Sequence, residues 1–200
     1  MLDAKVQPYI NPFLVAAARW LHKYGIRADY LTWIGLAFSA IAGICLIYQI
    51  FPLALLFVLA NRACDGLDGQ LARLESKSGT DAGAYLDIVF DFIAYAGLPF
   101  CMAAGLDTKT AWAATAFLML GIVFSGTTFL AYAIIAAKRR EPSKKGFYYV
   151  SGLMEGTETV IFLITICLLP FAYPILASIF GILCIITGMG RIGRALGDYT

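Results

Sequence analysis

Runs of about 20 mostly apolar residues, the length that crosses a bilayer as a helix, follow one another along most of this 200-residue chain. Composition agrees: 60% of residues are hydrophobic and 14% charged, with a mean hydropathy of +0.78. A soluble domain does not have that balance. The reading is an all-α, polytopic membrane protein, one domain over residues 1–200, with six transmembrane helices in residues 29–192 preceded by an interfacial amphipathic helix in residues 1–28.

The boundaries follow from local signals. Asn11 reads as a helix cap with Pro12 at the first position, and Phe13, Ala17, Trp20, Leu21 and Tyr24 then recur at helical spacing. Arg19, His22 and Lys23 fill much of the remaining surface, which suits a helix lying along headgroups. The first span is expected over Tyr30–Ile50 with Asp29 as its cap, the second over Pro52–Leu74, the third over Ala82–Gly105 and the fourth over Trp112–Ala137. The fifth covers Thr157–Leu169, and the sixth follows a turn between Pro170 and Pro174 and ends near Gly190. Gly35, Ser39 and Gly43, spaced by four, make a small-residue stripe where another helix can approach.

Six spans put both termini on one side of the membrane. Thirteen of the fifteen lysines and arginines fall on one face of that topology, Lys77, Arg140, Lys144 and Lys145 among them, so both termini are expected to be cytoplasmic. The net charge of +2 is dispersed, and no nucleic-acid partner is expected. The five cysteines sit inside apolar runs without a CxxC pair and read as small buried hydrophobes. The first residues show no apolar run followed by a cleavage site, so no cleaved signal peptide is expected.

Within the second and third spans the chain reads Asn61-Arg62-Ala63-Cys64-Asp65-Gly66-Leu67-Asp68-Gly69-Gln70-Leu71-Ala72-Arg73, then Gly83-Ala84-Tyr85-Leu86-Asp87-Ile88-Val89-Phe90-Asp91. A charge deep in a bilayer costs at least about 2.5 kcal/mol on insertion scales, so four aspartates require compensation. Asp65 and Asp68 are three apart, Asp87 and Asp91 four apart, and each pair shares a helix face. Two consecutive antiparallel helices joined by Glu75–Asp81 bring all four to one depth, where mutual repulsion calls for a divalent cation. Hard oxygen donors suit Mg²⁺, Mn²⁺ or Ca²⁺. Gly69 and Gly83, one turn from the carboxylates, leave space, and Arg73 brings a fork that fits phosphate.

The pattern Asp65-x-x-Asp68-Gly69-x-x-Ala72-Arg73, then Gly83-x-x-x-Asp87-x-x-x-Asp91, resembles the signature of the CDP-alcohol phosphotransferases, also called CDP-alcohol phosphatidyltransferases. The resemblance implies transfer of a phosphatidyl-type group from a CDP-lipid, CDP-diacylglycerol above all, to a small alcohol, with release of CMP. It implies that Asp65, Asp68, Asp87 and Asp91 hold one or two Mg²⁺ or Mn²⁺ ions, with Ca²⁺ able to occupy the site without supporting activity. Asp91 would also take the acceptor's proton. Gly69, Ala72, Arg73 and Gly83 would line the CDP pocket, and Thr32 is similar to a threonine that the family carries at the start of its first span. A homodimer, a bacterial inner (plasma) membrane location and a cytoplasmic active site are implied as well. Nine residues separate Arg73 from Gly83, where the commoner family spacing is eight.

Intramembrane aspartates also serve proton or cation transport, the rival reading. A transporter usually spreads its polar groups through several helices, whereas spans one, four and six have no acid in their apolar centres. Glu155 and Glu158 read either as helix N-terminal acids or as cavity residues suited to a neutral or cationic acceptor. The acceptor stays open among glycerol 3-phosphate, inositol phosphate, inositol, serine and amino alcohols.

Overall fold

The computed structural model describes residues 3–75, 80–139 and 156–199, with the side chains of residues 3–7 and 199 excepted. Lys77, Arg140, Lys144, Lys145 and Glu155 lie outside the described residues. The described chain is all-helical: α1 Asp3–Lys23, α2 Ala28–Ile47, α3 Phe51–Glu75, α4 Asp81–Leu106, α5 Lys109–Lys138, α6 Gly156–Leu168, a 3₁₀ turn Pro170–Ala172, and α7 Tyr173–Tyr199.

Four segments are long and apolar enough to cross a membrane: α2, α4, α5, and α7 with its preceding turn. Helix α3 has the length, 25 residues, but Arg62, Asp65, Asp68 and Arg73 interrupt its second half. Helix α6 has only 13 described residues. Four spans are thus plain from length and composition, against the six expected.

Helix α1 corrects the reading of its start. It runs from Asp3 straight through Pro8, Asn11 and Pro12, so Asn11 is not a cap. Each proline removes one helical hydrogen bond, and packing against α3 offsets the loss. Ala18 is fully buried there, and Leu14 fills the space above Gly66, while Asn11 Oδ1 accepts from Gln70 Nε2 at 3.3 Å. The side facing α3 is therefore Leu14, Ala18 and Leu21, whereas Phe13, Trp20 and Tyr24 of the expected apolar stripe are exposed. Gly25 ends the helix with φ +74°, and Ile26 N reaches back to Leu21 O at 3.3 Å, a closure that needs a left-handed residue.

Helix α2 also starts differently. Its N-cap is Arg27, which makes no side-chain cap bond, and Asp29 lies in the first turn. The orphan Ala28 N–H instead donates to Glu75 Oε1 at 3.0 Å, a cap supplied by the far end of α3. Helix α7 continues past Gly190 to Tyr199 and carries Arg191, which is buried and donates to Ser125 O at 2.9 Å and Ser125 Oγ at 3.1 Å.

Small residues set the helix spacing. Gly35 lies against Cys64 and Asn61 of α3, and Gly43 against Cys101 of α4, so the stripe on α2 is filled by the chain's own helices. Helices α3 and α4 each pack on α2 rather than closely on one another. On the other side α5 packs on α7, where a Cβ at Gly121 would lie 2.7 Å from Gly181 O. Fully buried Tyr173 ties these layers, its hydroxyl donating to Pro99 O at 2.8 Å. Gly121→Ala is expected to destabilise the bundle by about 1–3 kcal/mol, the usual cost of overpacking. A lowered thermal midpoint in detergent would register it.

Candidate functional site

The carboxylates meet in the cleft where α3 and α4 diverge in front of α2. Asp65 and Asp68 come from α3, Asp87 and Asp91 from α4, and all four line the cleft together with Thr32 of α2 and Arg62 of α3. Carboxylate oxygens of Asp65, Asp87 and Asp91 all lie within 4.8 Å of one another. Three part-exposed carboxylates this close repel one another, and a cation beside them would relieve that repulsion.

Asp68 stands apart from this trio. Its Oδ2 accepts from Thr32 Oγ1 at 2.7 Å, and the residue is 8% exposed. Thr32 sits one turn into α2, and its hydroxyl also lies 3.2 Å from Ala28 O, which holds it at the α2–α3 seam. Asp68 lines the same cleft as the other three, and what distinguishes it is the hydroxyl donor from α2.

Arg62 is the one cation lining the cleft among the described residues. Its NH1 donates to Asp91 Oδ1 at 2.8 Å and lies 3.6 Å from Asp65 Oδ2. Tyr95 OH donates to Asp91 Oδ2 at 2.9 Å. Arg62 Nε donates to Asn61 Oδ1 at 2.8 Å, and Asn61 Nδ2 to Gly35 O at 2.8 Å. Arg62, Asn61 and Tyr95 were not among the site residues expected from sequence. The signals were there: Arg62 precedes Asp65 by three and Tyr95 follows Asp91 by four, so both share the helix faces of the carboxylates.

The other expected pocket residues lie toward the ends of α3 and α4 and do not line the carboxylate cleft. Gly69 has open space around it, with Arg73 NH2 4.0 Å from where a Cβ would stand. Arg73 is exposed in the last turn of α3, while Ala72 packs against the small cluster containing Ala18, Ala28, Leu31 and Leu71. Gly83 has a local duty, its N–H donating to the N-cap Thr80 Oγ1 at 3.0 Å.

One arginine leaves most of the negative charge of four aspartates unbalanced. The donor set is all carboxylate oxygen, which fits a hard divalent ion and does not fit a thiolate- or imidazole-seeking one. Asp65, Asp87 and Asp91 are the residues whose oxygens lie close enough together to hold such an ion.

Helical spans around a carboxylate cleft, reached from the motif at residues 65–91, define the class: the chain belongs to the CDP-alcohol phosphatidyltransferase family, whose model matches residues 26–190. Among curated proteins, inner membrane protein YnjF of Escherichia coli (strain K12) is 40% identical over 196 residues, covering 96% of this chain and 94% of that protein. Inner membrane protein YnbA of the same organism is 31% identical over 104 residues, 48% of this chain and 50% of that one. Two crystal structures of Mycobacterium tuberculosis phosphatidylinositol phosphate synthase share the fold. The structure with CDP-DAG bound has a TM-score of 0.70 at 19% identity, covering 90% of this chain and 92% of that one. The complex with manganese and citrate has a TM-score of 0.71 at 21% identity, with coverage of 92% and 88%. Family membership favours a transferase of phospholipid synthesis over a transporter, and the apolar helices make it an integral membrane protein.

Proposed function

We propose that the protein transfers a phosphatidyl-type group from CDP-diacylglycerol to the hydroxyl of a small alcohol and releases CMP. The observation that carries this reading is the convergence of Asp65, Asp87 and Asp91 within 4.8 Å inside the family's own motif. The CDP-DAG complex of the mycobacterial synthase, with the same fold, supports the donor class, and its manganese complex supports a divalent ion.

In this reading Asp65, Asp87 and Asp91 hold Mg²⁺ or Mn²⁺, with Asp68 kept beside them by Thr32. An ion held there would supply Lewis acidity at phosphorus and charge stabilisation for the departing CMP. Asp91 receives the acceptor's proton as its oxygen bonds to phosphorus and the bond from phosphorus to CMP breaks. No covalent enzyme intermediate is needed, so the kinetics are sequential. Arg73 would hold phosphate oxygens with its fork, and Gly69, Ala72 and Gly83 would shape the CDP pocket toward the ends of α3 and α4, beside Thr32 in the cleft.

Helices α3 and α6 complete a six-span bundle in a single domain, and the exposed Phe13 and Trp20 of α1, with Tyr24 just after it, rest among headgroups. The lysine and arginine distribution supports a cytoplasmic location for the termini and the site. A homodimer fits the family.

The test is to incubate purified protein, divalent metal and CDP-diacylglycerol with glycerol 3-phosphate, inositol phosphate, inositol, serine and an amino alcohol in turn, reading lipid products by mass spectrometry. One alcohol is expected to yield a new phospholipid together with CMP. Absence of product and of CMP with every alcohol would contradict the reading.

A further inference from the structure

We propose that Arg62 and Tyr95 are positioning residues that clamp Asp91 by both of its oxygens, with Asn61 locking Arg62. The inference rests on Asp91 belonging to the metal-binding trio, as in the function proposed above.

A carboxylate on a helix turns about two side-chain bonds, and its usefulness as ligand or base depends on where its lone pairs point. Asp91 has no such freedom. Oδ1 takes the Arg62 NH1 donor at 2.8 Å and Oδ2 takes the Tyr95 hydroxyl at 2.9 Å. One donor comes from α3 and the other from the next turn of α4, so the plane of the carboxylate is fixed from two directions.

Arg62 is fixed in turn. Its side chain is only 12% exposed, its Nε is bonded to Asn61, and its guanidinium carbon lies 5.6 Å from the centre of the Tyr95 ring. Asn61 is buried and anchored to the Gly35 carbonyl of α2. The position of Gly35 is itself tight, since a Cβ there would lie 3.3 Å from Cys64 Cβ and 3.5 Å from Asn61 Nδ2. A continuous chain of hydrogen bonds therefore runs from the α2 backbone through Asn61 and Arg62 to Asp91 and Tyr95. It spans the gap where α3 and α4 are not packed on each other. Such outer partners orient a ligand set and commonly affect metal affinity by about 10–100-fold.

The rival account makes Arg62 a mere counter-charge, and the two accounts predict opposite signs. Removing a cation that stands 2.8 Å and 3.6 Å from two of the carboxylates relieves repulsion on an incoming ion and would tighten metal binding. Removing a clamp lets Asp91 rotate and weakens it.

The experiment is a Mn²⁺ titration of the full-length protein in detergent, with free ion followed by electron paramagnetic resonance, for wild type, Tyr95→Phe, Arg62→Met and Arg62→Lys. Tyr95→Phe changes no charge and keeps the ring, so it retains the test should Arg62→Met fail to fold. Mn²⁺ binding is expected to weaken about 10-fold or more in Tyr95→Phe and Arg62→Met, with partial recovery in Arg62→Lys. Unchanged or tighter binding in Tyr95→Phe overturns the clamp while leaving the metal site standing. Failure of wild type to take up Mn²⁺ overturns the metal reading, and the clamp with it. Where CMP release is measured, kcat should fall with little change in KM for CDP-diacylglycerol, and a rise in KM alone would contradict the clamp.

Discussion

Asp91→Asn is expected to lower kcat for CMP release by at least about 10²-fold, the lower range for removing a general base. The amide keeps the shape of the side chain and still offers an oxygen to Arg62 NH1, which now reaches Asp91 Oδ1 at 2.8 Å. It cannot take a proton from the acceptor alcohol. Binding of the CDP-lipid should remain measurable, because Asp65 and Asp87 still face the cleft and Arg73 still ends α3. Steady-state kinetics beside equilibrium binding of CDP-diacylglycerol separates the two effects. Turnover equal to wild type would remove Asp91 from the base role.

Neutralising two of the three close carboxylates together, Asp65→Asn with Asp87→Asn, should weaken Mn²⁺ binding by more than about 100-fold, beyond the range for partners outside the ligand shell. Asp68→Asn should have a smaller effect, below about 10-fold on the same scale, because Asp68 is bonded to Thr32 at 2.7 Å and lies outside the trio. Calorimetric titration with Mn²⁺ reads both. Equal losses from Asp68→Asn and from the double change would show that the four carboxylates act as one set.

The helices were legible because apolar runs and polar breaks are local properties. Both expected ends of the spans matching α2, α4 and α5, the start of α3 and the end of α6 fall within three residues of the helices, and the turn between Pro170 and Pro174 appears where those prolines demand it. The carboxylate pairs were legible for the same reason, since three- and four-residue spacings fix a helix face whatever surrounds it. Contacts between segments distant in sequence were not. Asn11 looks like a cap in its own sequence, but α1 runs on through Pro8 and Pro12 and Asn11 instead bonds Gln70 of α3, 59 residues on. Asp29 looks like the cap of α2, whereas Glu75 supplies it. The separation of Asp68 from the trio depends on Thr32, 36 residues earlier, and on how α3 turns toward α2. Arg62 stood in plain view as a charge within an apolar helix, yet only the fold shows that it reaches across to α4.

The most direct test is CMP release from CDP-diacylglycerol by purified protein, measured after stripping with excess chelator and again after addition of Mg²⁺ or Mn²⁺. Activity that vanishes on stripping and returns with the ion is the expected result. Undiminished release in excess chelator would mean that Asp65, Asp87 and Asp91 gather for some purpose other than holding a metal.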